Sequence, residues 1–244
     1  MKSVLITGGG KRLGEAFARA LAEAGWTPII HYNASKGEAE ALASSLRGHA
    51  VGRDLSVLEN VESLIDAAAA AAGGPLSGLV NSASIFEHDD AGSVTPQALL
   101  RHFTVNTAAP VLLSRRFAAQ APAGAAIVNV LDQKLWNPNP DHLSYTLAKA
   151  ALREATTLCA QAFAPRVRVV GVAPGYALPG PGEDEAAFEK KAAAQNPLRR
   201  RLEPEHVADA VRFALENPAV TGTVVLADNG EHLVPSARDV AFKP

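Results

Sequence analysis

Three residues near the middle of the chain have the types and spacing for proton transfer: Asp132, Tyr145 and Lys149. The stretch from Ile127 to Ala151 reads IVNVLDQKLWNPNPDHLSYTLAKAA. Its apolar start, Ile127 to Leu131, has the composition of a buried strand, and Asp132 stands at its end. A loop of Asn and Pro follows, then a helical segment that carries Tyr145 and Lys149 four residues apart on one face. An ammonium fixed beside a phenol favours phenolate and brings proton transfer towards neutral pH. Asp132 has two readings. In one, it faces a substrate that presents N–H donors or a nitrogen to be protonated, because a carboxylate would repel the charge developing on a carbonyl oxygen. In the other, it is half of an ion pair with Lys149 or Lys134.

A second constellation lies at the start of the chain. TGGGKRLG, Thr7 to Gly14, sits between a strand pattern and a helix pattern. Glycines let the main chain approach a pyrophosphate, and a helix N-terminus adds unpaired N–H groups and a favourable dipole. Gly8, Leu13 and Gly14 are the expected main-chain contacts, with Lys11 and Arg12 adding positive charge. The second strand ends in HYNASK, His31 to Lys36, with no acid before Glu38 to hold a ribose 2′-hydroxyl. Asn33, Ser35 and Lys36 offer donors to a 2′-phosphate instead, so NADP(H) is expected over NAD, with solvated surface charge as the other reading of the lysines. Asp54 and Leu55, in RDLS after the third strand, are placed for the adenine edge, through the Asp54 side chain or the next amide. Asp54 also fits a turn before Ser56.

These residues need a scaffold. Strand patterns fall at Ser3–Ile6, Thr27–His31, Ala50–Arg53, Gly78–Asn81, Ala125–Val130, Arg166–Val172 and Thr223–Leu226. Helical patterns fall at Arg12–Ala24, Lys36–Arg47, Val57–Ala72, Pro96–Ala119, Leu143–Phe163, Asp184–Gln195 and Pro204–Glu216. Ser56 with Glu59 reads as a capping box, and Thr95-Pro96 as an N-cap with proline at the first helical position. Apolar strands alternating with helices predict an α/β fold: a single-domain, Rossmann-type, doubly wound parallel sheet with helices on both faces, over 1–244. The Pro- and Gly-rich segment after the sixth strand predicts a mobile flap near 174–195 over the ligand crevice, with an ordinary surface loop as the other reading.

Composition removes several classes. A net charge of -2 and a pI near 6.4 do not suit nucleic acid or an anionic membrane. The single cysteine, Cys159, excludes an intramolecular disulfide and a cysteine zinc cluster. His31, His88, His102, His142, His206 and His232 form no spaced ligand set, so no metal site is expected. No signal-peptide pattern or membrane-length apolar run is visible, and a soluble cytoplasmic protein is expected.

The motifs TGGGKRLG, NSAS (Asn81 to Ser84), VNTAAP around Asn106, YTLAK and VAPG occur in the order found in the short-chain dehydrogenase/reductase family, which the chain resembles throughout. Within it, the chain looks most like the pteridine reductases, which include bacterial dihydromonapterin and dihydrofolate reductases. Three departures from the general pattern point there: Arg12 where glycine is usual, Asp132 where a serine precedes the tyrosine by thirteen residues, and NSAS with Phe86 two residues on. The resemblance implies a small-molecule substrate and assigns roles by position. Asp132, Tyr145, Lys149 and Asn106 would be catalytic, with Tyr145 the proton donor and Asn106 holding a water in the relay behind Lys149. Asn81, Ser82, Ala83, Pro174 and Gly175 would join Tyr145 and Lys149 around the cofactor. Arg12, Ser84 and Phe86 would meet a flat heteroaromatic ring, with Phe86 stacked on it; Tyr176, after the VAPG turn, is expected to line the substrate pocket.

The implied activity is NADPH-dependent reduction of a C=N bond in a pterin or dihydrofolate-type substrate. A carbonyl or alcohol oxidoreductase of the same fold is the nearest rival, and a non-catalytic NADP-binding sensor the more distant one. Trp136 either closes the site or merely packs, and Arg199 to Arg201 read as a solvated or subunit-contact surface. The resemblance further implies a homotetramer, with Pro96–Ala119 and Leu143–Phe163 at one interface and the segment Gly222–Val234 at another.

Overall fold

The structure, a computed structural model, describes residues 2–180 and 182–242; Met1, Lys243, Pro244 and, within the expected flap, Pro181 lie outside the described residues. Seven short apolar runs form one parallel sheet in the order β3-β2-β1-β4-β5-β6-β7. The strands are β1 Ser3–Ile6, β2 Thr27–Tyr32, β3 His49–Gly52, β4 Gly78–Asn81, β5 Ala125–Val130, β6 Val167–Pro174 and β7 Val224–Ala227. The helices are α1 Arg12–Glu23, α2 Lys36–Ser45, α3 Ser63–Ala72, α4 Pro96–Phe103, α5 Ala109–Gln120, α6 Leu143–Phe163, α7 Glu185–Ala194 and α8 Pro204–Glu216. The chain runs outward from β1 through β2 to β3, then returns to place β4 on the other side of β1. That reversal opens a crevice beyond the carboxyl ends of β1 and β4.

Alternation along each strand builds two cores. Val4, Ile6, Ile30, Val80, Val128 and Val170 pack towards α1 and α8 with Phe17, Leu21 and Val211. Leu5, Ile29, Leu79, Ile127 and Val169 pack towards α3 and α5 with Leu64, Leu113 and Phe117. These side chains are fully buried, and each contributes roughly 1.5–3 kcal/mol through apolar burial. The strand ends that carry the site are therefore rigid. Among the described residues no helix is long and apolar enough to cross a membrane.

Most predicted element boundaries agree within two residues, and two helical expectations need correction. The pattern Val57–Ala72 is a 3-10 turn, Leu58–Asn60, followed by α3 from Ser63. Ser56 does not cap it: the Asp54 carboxylate captures the Ser56 N–H (2.8 Å) and hydroxyl (2.7 Å) in a local turn. The pattern Pro96–Ala119 is α4 and α5 joined by a π-helical turn, Thr104–Ala108. Pro110 has no N–H to close an α-helical ring on the Asn106 carbonyl, so the ladder widens there. The Thr95 cap forms as expected: its hydroxyl accepts from the Ala98 N–H (3.1 Å), with Pro96 in the first turn.

Candidate active site

The carboxyl ends of β1, β4, β5 and β6 surround a cleft of about 1070 Å³, with an adjoining chamber of about 510 Å³. Arg12, Phe86, Asp132, Gly175, Tyr176 and Leu178 line both. The buried run Ala125–Val130 delivers Asp132 to the junction, and α6 brings Tyr145 and Lys149 beneath it.

The three groups form a coupled set, with Tyr145 and Lys149 buried and Asp132 partly open to the cleft. The Tyr145 hydroxyl donates to Asp132 Oδ2 (2.8 Å), and Asp132 Oδ1 accepts the Lys134 N–H (2.8 Å). The Lys149 ammonium donates to the Val130 carbonyl (2.7 Å) and lies 5.7 Å from the centre of the Tyr145 ring. The Lys134 ammonium turns away, to Asn139 and to Asp239 (3.1 Å). The ion-pair reading of Asp132 is thus corrected: both lysines have other partners, and its carboxylate holds the phenol.

Electrostatics corrects a second expectation. Lys149 does not tip Tyr145 towards phenolate. Burial, then the Asp132 charge and hydrogen bond, hold the Tyr145 hydroxyl protonated, well above its ordinary pKa. Burial also pushes the Asp132 carboxyl up, against its bonds from Lys134 and Tyr145 and the Lys149 charge. Burial lowers Lys149 to about 8 despite Asp132. The site therefore holds a neutral phenol on the Asp132 carboxyl group, beside a lysine lowered to about 8.

Asn106 projects from the π turn and grips Ile85 twice, accepting its N–H and donating to its carbonyl, both at 2.9 Å. This pins the segment of Ser84 and Phe86 to the cleft wall. Phe86, half exposed, stacks on His142 (3.9 Å between centres, 19°) and meets the edge of Tyr145 at 4.7 Å. One face of the junction is thereby aromatic.

At the other end lie Gly8, Lys11, Arg12, Leu13 and Gly14, with Asn33, Ser35, Asp54, Leu55, Ser82 and Ala83 opposite. The loop is folded tightly: a Cβ on Gly14 would lie 2.2 Å from the Gly8 carbonyl oxygen, and one on Gly8, at φ +64°, 3.0 Å from Ala83 Cα. Thr7 Oγ1 accepts the Ser82 and Ala83 N–H groups (2.9 and 3.0 Å), tying the loop to the end of β4. Arg12 has φ 54°, the left-handed region that makes glycine usual there, and its guanidinium donates to the Pro179 carbonyl (3.1 Å).

Some expected contacts sit elsewhere. Asn81 is buried below the cleft, donating to Asn129 Oδ1 (2.8 Å), its register partner on β5. Lys36 is exposed beside Glu40 (3.7 Å), outside the cleft lining, while Lys11 pairs with Glu38 at 2.8 Å. Trp136 packs near the Arg153 guanidinium rather than over the site. Arg199 and Arg200 are exposed, as expected, whereas Arg201 clasps Glu185, Glu189 (3.7 Å) and Glu203 (3.2 Å) between α7 and the start of α8.

Sequence reasoning missed the far wall of the chamber. Ser236, Arg238 and Asp239 line it, and the Asp141 carboxylate accepts Arg238 Nε (2.8 Å) and the Asp239 N–H (2.7 Å). It also missed Glu231, which accepts the Tyr176 N–H (2.8 Å), and His31, which reaches the glycine loop. Nothing local marks these residues; only the meeting of distant segments does.

Comparison with known proteins places this architecture. The family model described as Enoyl-(Acyl carrier protein) reductase, of the short-chain dehydrogenase/reductase type, matches residues 10–232. The chain is similar to the crystal structure of FolM alternative dihydrofolate reductase 1 from Brucella canis complexed with NADP: TM-score 0.90, 37% identity, 98% of this chain and 96% of that one. It is 26% identical to the dihydromonapterin reductase of Klebsiella pneumoniae over 95% of this chain and 97% of that protein. It is also similar to LugOII, a promiscuous reductase that catalyses keto-reduction at C1 during lugdunomycin biosynthesis: TM-score 0.87, 30% identity, covering 95% and 98%. The chain belongs to the short-chain dehydrogenase/reductase family.

Proposed function

We propose that the protein is an NADPH-dependent reductase of a C=N bond in a pterin or dihydrofolate-type ring. The observation that carries this is Asp132: a partly buried carboxyl group, open to cleft and chamber, that accepts the Tyr145 hydroxyl. Facing a carbonyl oxygen, it would oppose the negative charge formed on reduction. Facing a pteridine, it accepts ring N–H donors while a ring nitrogen takes up a proton. The FolM structure with NADP and the dihydromonapterin reductase support the same class.

The protein uses NADP(H), and the glycine loop suits it: backfilled Cβ positions are closed, and Lys11, Arg12, Asn33 and Ser35 supply donors without an acid at Asn33 or Ser35. Gly8, Leu13, Gly14, Asp54, Leu55, Ser82, Ala83, Pro174 and Gly175 would complete the cofactor wall. When bound, the dihydronicotinamide supplies the hydride for the ring carbon. Tyr145 then gives its proton to the adjacent nitrogen, so C=N becomes CH–NH. Lys149, through the relay behind it with Asn106, returns a proton to Tyr145. Phe86 covers the ring, and Ser84, Arg12 and Tyr176 contact its polar edge. The segment 174–195 acts as the flap, held by Arg12 on Pro179 and by Glu183, which takes the Tyr176 hydroxyl and Lys191 (3.2 Å).

A second reading is keto-reduction, which the likeness to LugOII favours. NADPH oxidation with a dihydropterin, dihydrofolate and a diketone, against NADH, separates the two. Turnover of a pterin or dihydrofolate with NADPH is expected, falling roughly 100-fold in Asp132→Ser. Turnover of the diketone alone, or a gain in Asp132→Ser, would establish keto-reduction instead. We further assign the protein to the cytoplasm as a homotetramer. Exposed Leu100 and Phe103 on α4 and Leu147 and Leu158 on α6 support a subunit contact there.

A further inference from the structure

His31, at the end of β2, is a buried imidazole with no part in the proposed chemistry. Its Nδ1 accepts the Gly8 N–H (3.1 Å), and its main-chain oxygen accepts the next amide, Gly9 (3.2 Å). With Nδ1 accepting, Nε2 carries the ring proton and donates to the Arg53 carbonyl (2.9 Å). Arg53 directly precedes Asp54 and Leu55, which line the cleft, and its own N–H donates to the Tyr32 carbonyl (3.0 Å). One side chain thus joins the glycine loop to the turn after β3, while Thr7 joins the same loop to the turn after β4.

We propose that His31 is a positioning residue for the cofactor: its neutral imidazole clamps the first turn of the glycine loop to the end of β3, so the loop is shaped before a dinucleotide arrives. Only the neutral ring can do this. A protonated imidazole would set an Nδ1–H against the Gly8 N–H, two donors face to face. The surroundings favour the neutral form. Burial lowers the His31 pKa to about 4, with Arg53 and Asp54 as the charged neighbours acting in opposite directions. Preorganisation of this kind lowers the ordering cost of binding and leaves the chemical step alone. Gly8 at φ +64° shows what the clamp holds: a backbone bend confined between Ala83 on one side and His31 on the other.

The inference rests on the NADPH assignment, and one set of variants tests both separately. His31→Asn keeps an acceptor near Nδ1 and gives up the reach to Arg53. His31→Gln does the reverse, and His31→Leu removes both bonds. Hydrogen exchange of the 7–14 segment in ligand-free protein reads the clamp directly, with β5 and β6 amides as the control for global loosening. NADPH affinity from fluorescence and kcat at saturating NADPH read its consequence. In His31→Leu, loop exchange and the NADPH Kd should each rise roughly tenfold, as expected for lost buried hydrogen bonds, with kcat within about twofold. His31→Asn, which keeps only the Gly8 bond, should recover part of both. Unchanged loop protection or Kd in His31→Leu overturns the proposal, as does a fall in kcat that matches the rise in Kd. Should His31→Leu fail to fold, wild-type loop protection and Kd in both His31→Asn and His31→Gln overturn it. A wild-type protein that does not bind NADPH refutes the cofactor assignment, and the exchange measurement still decides the clamp.

Discussion

At one end of the cleft the walls are main chain: the amides and carbonyls of residues 7–14, bent tightly enough that a Cβ on Gly14 would overlap the Gly8 oxygen. At the other end they are side chains, with Asp132, Tyr145 and Lys149 coupled to one another. The first end keeps the buried His31 neutral and fully hydrogen-bonded. The second keeps Asp132, Tyr145 and Lys149 in mutual tension. A shape-selective surface and a proton-handling surface are thus built from different materials. Changes at the first should alter affinity, and changes at the second should alter rate.

The largest expected effect is at the proton-handling end. Tyr145→Phe should cut kcat roughly a thousandfold, the range for losing a positioned proton donor, while the NADPH Kd stays near wild type. A variant that keeps wild-type turnover would remove Tyr145 from the chemistry. Next comes the pH response of the shape-selective end. His31 has its pKa lowered on folding from 6.5 to about 4, so its contribution is complete above 6.5 and is lost as pH falls through about 4. Urea unfolding at about pH 7 and about pH 4.5 should show a loss on the order of 2 kcal/mol from this group. The loss should shrink in His31→Asn; an identical loss there would assign the acid sensitivity to other groups.

The smallest effect concerns Arg12, which lines both chambers and sits at φ 54°. Arg12→Gly relieves that backbone, so the unfolding free energy should hold or rise by up to about 1 kcal/mol. The same change releases the Pro179 carbonyl and removes a cation, so the KM values for cofactor and substrate should both rise several-fold, roughly the worth of a charged hydrogen bond. A rise in only one KM would place Arg12 wholly at one end.

Much of the scaffold is legible because buried parallel strands are short apolar runs with polar ends. Ser3–Ile6, Gly78–Asn81 and Ala125–Val130 are such runs, and α6 and α8 begin and end where their patterns do. The π turn at Thr104–Ala108 escaped because local helix propensity continues through it; the missing Pro110 amide becomes decisive only when the helix packs. The Ser56 capping box failed because Asp54, two residues earlier, takes the Ser56 N–H that Glu59 would have accepted and turns the hydroxyl towards itself.

Residue type and order alone determined the α/β fold, the glycine loop at the first strand end, and the chemistry available from Asp132, Tyr145 and Lys149. These follow from periodicity and side-chain chemistry, which are local. The tertiary structure decided which form each group takes. It keeps Tyr145 a phenol on Asp132, sends Lys134 to Asp239, walls the chamber with residues 236–241, and sets His31 against Gly8. Burial and long-range partners control these outcomes, and neither is a property of neighbouring residues in the chain.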